Sequence, residues 1–306
     1  MVKSQEMKVG RVWLSAIRLR TLPLALASIG MGSFLAADQA MFDLRVCLLC
    51  ALTTVLLQIL SNLANDYGDT QHGADSVHRE GPSRSVQAGV ISSQQMLSAV
   101  ILFALLSLGS GLWLLYISLG FNMHSFLFFL VLGLLCILAA IAYTAGRKPY
   151  GYAGLGDLSV MIFFGIVGVL GTYYMHTGSF HPLYIWPALS CGFFATAVLN
   201  VNNIRDINSD KLAGKKSIPV RIGREKATQY HWFLLCSGIA CSLVFLSLEF
   251  QSPWQLLFLV VLPLMIKNGI AVQNIHNALE LDPYLKQMAV AALLYVFLFG
   301  IGLLIG

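Results

Sequence analysis

The acidic residues of this chain gather in two segments that share a spacing. The first, NLANDYGDTQHGAD from Asn62 to Asp75, sets Asn62, Asp66 and Asp69 at i, i+4 and i+7. The second, NVNNIRDINSDKLAGKKS from Asn200 to Ser217, sets Asn202, Asp206 and Asp210 at i, i+4 and i+8. On a continuous helix each set falls on one face. Like charges at helical neighbour spacing destabilise by about 0.2–0.5 kcal/mol per pair, and beside a bilayer solvation is poorer still. Each cluster therefore calls for a cation. Asp and Asn offer only oxygen, which suits a hard divalent ion, and Mg²⁺ suits best where phosphate oxygens complete its octahedron. Neither face carries His or Cys, which argues against zinc.

Basic residues accompany both clusters: Arg79 and Arg84 in EGPSRSVQAG after the first, and Arg205, Lys215 and Lys216 in the second. Acids and bases together suit a polyanion gripped partly through metal and partly by guanidinium and ammonium groups, and a diphosphate is the economical choice. Solvated carboxylates capping helices would explain either cluster alone. They do not explain two matched clusters at equivalent helix ends. For any single Lys or Arg, the ordinary excess of positive charge on a cytoplasmic membrane face is a sufficient reading.

The elements that carry these clusters are membrane spans. Of the 306 residues 57% are hydrophobic and 11% charged, against about 25% charged in soluble domains. Apolar stretches of roughly 17–25 residues recur along the whole chain. They predict nine helices: 21–37, 46–63, 96–116, 125–143, 158–174, 183–202, 232–248, 254–272 and 288–306. The first could pass for a signal peptide, but similar spans follow it and no secreted domain does. Residues 1–306 are expected to form a single transmembrane domain. Every Lys and Arg except Arg45 and Lys267 falls on one side of this arrangement, so the amino terminus is expected in the cytoplasm and the carboxyl terminus outside it. The net charge of +5 follows from that asymmetry and needs no nucleic-acid partner. Lys267 can snorkel from its helix end. The two longest polar segments, 64–95 and 203–231, are expected as cytoplasmic loops. The six cysteines lie in or beside apolar spans, where a thiol packs as a small hydrophobe. Cys47 and Cys50 lack the second ligand pair of a metal site.

The acidic segments resemble those of the UbiA superfamily of intramembrane prenyltransferases, in which N-x-x-x-D-type motifs lie at the ends of the second and sixth of nine helices. Asn65 and Asp69 fit the first motif, with Asp75 as its later acid. The step from Asp69 to Asp75, together with EGPSRSVQAGVIS, YTAGRKPYGYAGLGD (Tyr143 to Asp157) and NNIRDINSDKLAGKKS (from Asn202), looks like the branch that prenylates 1,4-dihydroxy-2-naphthoate in menaquinone synthesis. The likeness spans nearly the whole chain.

The resemblance implies an all-α bundle of nine transmembrane helices around a central cavity, capped by two acidic cytoplasmic loops and open sideways to lipid. It implies an enzyme of the inner membrane that transfers a polyprenyl group from its diphosphate to an aromatic acid, with loss of pyrophosphate and carbon dioxide. Two Mg²⁺ ions are expected: Asn62, Asn65, Asp66, Asp69 and Asp75 on one side, Asn202, Asn203, Asp206 and Asp210 on the other. Asp69, Asp75, Asp206 and Asp210 are then the catalytic carboxylates, and Arg84, Arg205, Lys215 and Lys216 touch diphosphate. Arg147, Lys148 and Tyr150, with Tyr143 and Asp157, lie where the aromatic acid could dock, although interface anchoring explains them equally well. Phe163 and Phe164 are read as packing. Two competing readings are another acceptor such as 4-hydroxybenzoate, and an ion-coupled transporter, whose acids mark an ion path near the midplane. The acids here sit instead at helix ends on one face.

Overall fold

The computed structural model describes residue 10 and residues 12–71, 90–120 and 122–306, without the side chain of Arg20. Among the described residues, eight helices are long and apolar enough to cross a membrane. They are α2 (Leu44–Gln71), α3 (Ser93–Leu119), α4 (Met123–Ala142), α5 (Gly156–Thr177), α6 (Pro182–Arg205), α9 (Arg224–Glu249), α10 (Pro253–Asn274) and α11 (Ala278–Leu304). The expected first span is present as α1 (Leu22–Asp38), apolar but only 17 residues long. That is about 26 Å at 1.5 Å per residue, just under a hydrocarbon core of about 30 Å. Two short helices, α7 (Ile207–Leu212) and α8 (Ile218–Ile222), link α6 to α9. No strand occurs among the described residues.

Helix starts follow local chemistry. Ser92 and Gln95 form a reciprocal capping box at α3, as Ser252 and Gln255 do at α10. Asn122 caps α4, and Asn277 caps α11 through the amides of Leu279 and Glu280.

Consecutive helices pack in pairs, α2 on α3, α5 on α6 and α10 on α11, while α6 also meets α9 and α11. The first helix rests on the last, α1 on α11. The densest core lies among α6, α9, α10 and α11, where Phe194, Phe258, Tyr295 and Phe299 interlock as tilted and edge-on rings. By contrast α4 buries only Phe129 and exposes Leu127, Phe128, Val131 and Leu138. Such a surface suits acyl chains, where no aqueous penalty applies.

Two details shape the interior. Residues Met161–Leu170 of α5 are π-helical, a distortion that frees backbone carbonyls and recurs at functional sites. The Phe164 carbonyl is met by the Ser28 hydroxyl of α1 at 2.5 Å. At Gly68 the end of α2 passes directly under the Thr144 carbonyl, so that a side chain there would strike backbone.

The structure corrects the expected loops. Residues 64–71 continue α2 for two more turns, and 203–231 are largely helical, as the end of α6, then α7, α8 and the start of α9. Both acidic motifs are therefore carried on or beside helices. The polar character of these segments marks a helix leaving lipid, not a helix ending.

Candidate active site

A cavity of about 420 Å³ opens inside the bundle, walled by α1 to α6. At one end its wall is polar, with Asn65, Asp69, Asn202, Asn203, Asp206, Asp210 and Lys215. Farther in it is apolar, with Leu108, Leu112, Phe129 and Ile137 among the side chains.

The extension of α2 decides which first-motif residues face in. Asn65 and Asp69, one turn apart, reach the cavity wall. Asn65 accepts a hydrogen bond from Thr144 at 3.0 Å. Asp69 is 1% exposed and accepts one from the Tyr152 hydroxyl at 2.7 Å. Asp66 points elsewhere, into an ion pair with Arg18. Asn62 touches the cavity, but its amide bridges Ile17, Thr21 and Gln58, tying the approach to α1 against α2. The face shared by Asn62, Asp66 and Asp69 is thus divided between two jobs.

In the second motif α6 ends at Arg205 and the chain bends through Asp206 into α7. Asn202, Asn203, Asp206 and Asp210 all line the cavity. Arg205 does not. Its guanidinium is buried behind them, donating to Asp206 at 2.8 and 2.6 Å, to the Asn202 side-chain Oδ1 at 2.8 Å and to Asp282 of α11 at 2.5 Å. The expected diphosphate contact from Arg205 is replaced by a buried brace, because the helical phase at 205 turns inward to α11.

Lys215 joins the motifs. Its ammonium lies 3.3 Å from Asp69 and 3.4 Å from Asp210, and 5.0 Å above the Tyr152 ring. A carboxylate from α2 and one from α7 therefore share one positive charge. Burial raises the Asp210 pKa, opposed by Lys215 and reinforced by Asp206 and Asp69.

These residues fit a hard divalent ion: the donors are all oxygen, and an ammonium already stands between the two carboxylates as a cation. Among the described residues no three Asp, Glu, His or Cys side chains converge as a ligand group. Mg²⁺ is commonly held by one or two carboxylates, with phosphate and water oxygens completing its shell.

Lys216, Arg147 and Lys148 are exposed and stand off the cavity wall. Tyr150 lines it, but its hydroxyl is held between the Ala139 carbonyl and Ser159, both at 3.0 Å. Asp75, Arg79 and Arg84 lie outside the described residues. Phe163 and Phe164, read as packing, form part of the cavity wall. Tyr152, Arg18 and Asp282 were not anticipated. The signal for Tyr152 was its place in the 143–157 segment, where irregular backbone around Gly151 and Gly154 (φ +80°) leaves no periodicity to say which tyrosine turns inward.

The model of the UbiA prenyltransferase family matches residues 25–278. A 1,4-dihydroxy-2-naphthoate octaprenyltransferase of Haemophilus influenzae is 46% identical over 97% of this chain and 96% of its own length. Its Escherichia coli counterpart is 44% identical over 98% and 97%. Among solved structures, a UbiA homologue from Archaeoglobus fulgidus bound to GPP and Mg²⁺ superposes with a TM-score of 0.61 at 19% identity, covering 95% of this chain and 99% of that one. With the motif pairs gathered at one cavity and the family model matching most of the sequence, this chain belongs to the UbiA prenyltransferase family.

Proposed function

We propose that this chain transfers a polyprenyl group from polyprenyl diphosphate to 1,4-dihydroxy-2-naphthoate within the bilayer, releasing pyrophosphate and carbon dioxide on the way to menaquinone. The observation that carries this reading is the meeting of Asp69 and Asp210 at Lys215, at the mouth of an otherwise apolar cavity. The two bacterial relatives of 46% and 44% identity, matched over nearly their whole length, support the acceptor.

The reading includes two Mg²⁺ ions. Asn65 and Asp69, with Asp75, would hold one, and Asn202, Asn203, Asp206 and Asp210 the other; Asp66 holds Arg18 in place. Bound Mg²⁺ supplies charge that offsets the diphosphate and the departing pyrophosphate. Lys215, freed from its carboxylates, turns to phosphate oxygens. The allylic C–O bond then breaks with its electron pair leaving on pyrophosphate. The apolar wall beyond, Phe163 and Phe164 included, keeps water from the allylic cation until a ring carbon attacks it. The cavity matches a pocket for a drug-sized ligand, so a long prenyl tail extends past it toward lipid.

The whole chain is read as one domain with nine spans, α1 included, lying in the bacterial inner membrane with its amino terminus in the cytoplasm. The acidic mouth then opens to the compartment that supplies Mg²⁺ and receives the released pyrophosphate. Purified protein in lipid nanodiscs, given labelled prenyl diphosphate and 1,4-dihydroxy-2-naphthoate, should form prenylated product and carbon dioxide in equal amounts, with all turnover lost in excess chelator and restored by Mg²⁺. Undiminished turnover in chelator would refute the metal-dependent reading.

A further inference from the structure

Asp157, at the start of α5, lines the same cavity as the Lys215 bridge, and the mechanism above leaves it without a task. It is 8% exposed and lines the cavity beside Val160 and Phe163. Its carboxylate takes a hydrogen bond from its own backbone amide in the first turn of the helix. The Tyr230 hydroxyl of α9 donates to Oδ1 at 3.3 Å, and among the described residues no Lys, Arg or His pairs with it. A carboxylate buried in a membrane protein with one phenol and one amide as donors, and no cation, is costly unless it serves a site.

A second phenol stands close by. The Tyr143 hydroxyl sits against Gly156, where a Cβ would come within 2.7 Å of it, so the absence of a side chain at 156 makes room for that hydroxyl next to Asp157. Burial first, then the charges of Asp157, Asp210 and Asp69, push the Tyr143 pKa upward and keep the phenol protonated. The cations expected to dock an aromatic acid, Arg147 and Lys148, are exposed and off the wall.

We propose that Asp157 binds one ring hydroxyl of the aromatic acceptor and acts as its proton acceptor during carbon–carbon bond formation. The proposal rests on the naphthoate reading above. As Asp157 takes the hydroxyl proton, the O–H electron pair becomes the ring carbonyl π bond, and a ring π pair forms the new bond to the allylic carbon. When the bond from the ring to its carboxylate breaks, that pair restores the aromatic ring and carbon dioxide leaves. The ring oxygen recovers the proton from Asp157, so the net change is prenyl for carboxylate with no oxidant or reductant.

The test compares wild type, Asp157→Asn and Asp157→Glu on 1,4-dihydroxy-2-naphthoate and on its two monomethyl ethers. Asp157→Asn should lower kcat on the diol by about 10²-fold or more, leave the KM for prenyl diphosphate within about twofold, and be rescued in part by Asp157→Glu. Wild type should strongly prefer the diol to one of the ethers, and Asp157→Asn should lose that preference, because the blocked hydroxyl and the missing carboxylate are the same contact. An equal loss on all three acceptors, or a raised prenyl diphosphate KM at unchanged kcat, would overturn the role. If wild type prenylates the diol and Asp157→Asn does so equally well, the proposal alone fails. If wild type leaves the diol untouched, the acceptor reading fails and takes the proposal with it.

Discussion

Lys215 shows at the scale of one residue why the two motifs belong to one site: a carboxylate near position 69 and another near 210 would repel across the cavity mouth, and the shared ammonium offsets this until a stronger cation arrives. Replacing Asp69 or Asp206 by Asn removes one charge from one motif while keeping the shape. Each variant should lower turnover by roughly 10²-fold or more, and Asp206→Asn should also unfold earlier, because it leaves the buried Arg205 with Asp282 as its remaining carboxylate; full turnover by either would sink the two-motif account. The residue types were legible in the sequence, since oxygen-only donors at helical spacing already implied a hard cation. Their orientation was legible only in part. Spacing alone selects Asn62, Asp66 and Asp69, yet the phase of α2 hands Asp66 to Arg18 and brings Asn65 forward. That choice depends on what packs beside the helix, which no local pattern records.

At the scale of the element, the same limit explains Arg205. It lies one residue from Asp206, which suggests a ligand contact, but a step of about 100° along a helix points it to α11, where Asp282 waits. Removing one partner of a buried ion pair costs about 3–5 kcal/mol. Arg205→Met should therefore lower the unfolding temperature clearly, while Lys215→Met leaves it nearly unchanged and weakens diphosphate binding. Differential scanning fluorimetry in detergent separates the two, and an unaltered melting curve for Arg205→Met would contradict the brace. Helix order could be read from hydropathy because every span must be apolar to cross lipid, and among the described residues eight of the expected spans are long enough to do so. Helix ends could not: α2 carries eight polar-segment residues past Leu63 because backbone hydrogen bonding continues after the apolar run stops. The π-helical stretch of α5 is likewise invisible in a sequence whose side chains are uniformly apolar there.

For the whole molecule, the orientation proposed from the positions of Lys and Arg turns both motifs to the cytoplasm. Epitope tags inserted in the 71–79 and 210–224 segments should report as cytoplasmic and a tag after Gly306 as external, read by reagents that label only one side. Opposite answers from the two motif segments would rule out a shared cavity. The acceptor is the central claim. A wall fitted to two fused rings loses apolar contact with a single ring, at about 0.8 kcal/mol per CH₂-sized group, and a site built for two hydroxyls leaves a polar group unmatched when one is missing. Together these reach discrimination of roughly a thousandfold. The direct measurement is the ratio of kcat/KM for 1,4-dihydroxy-2-naphthoate and 4-hydroxybenzoate at equal prenyl diphosphate, with released carbon dioxide counted for each. The account predicts rapid prenylation of the naphthoate with one carbon dioxide per product and negligible reaction of the benzoate, and a preference for 4-hydroxybenzoate would contradict it.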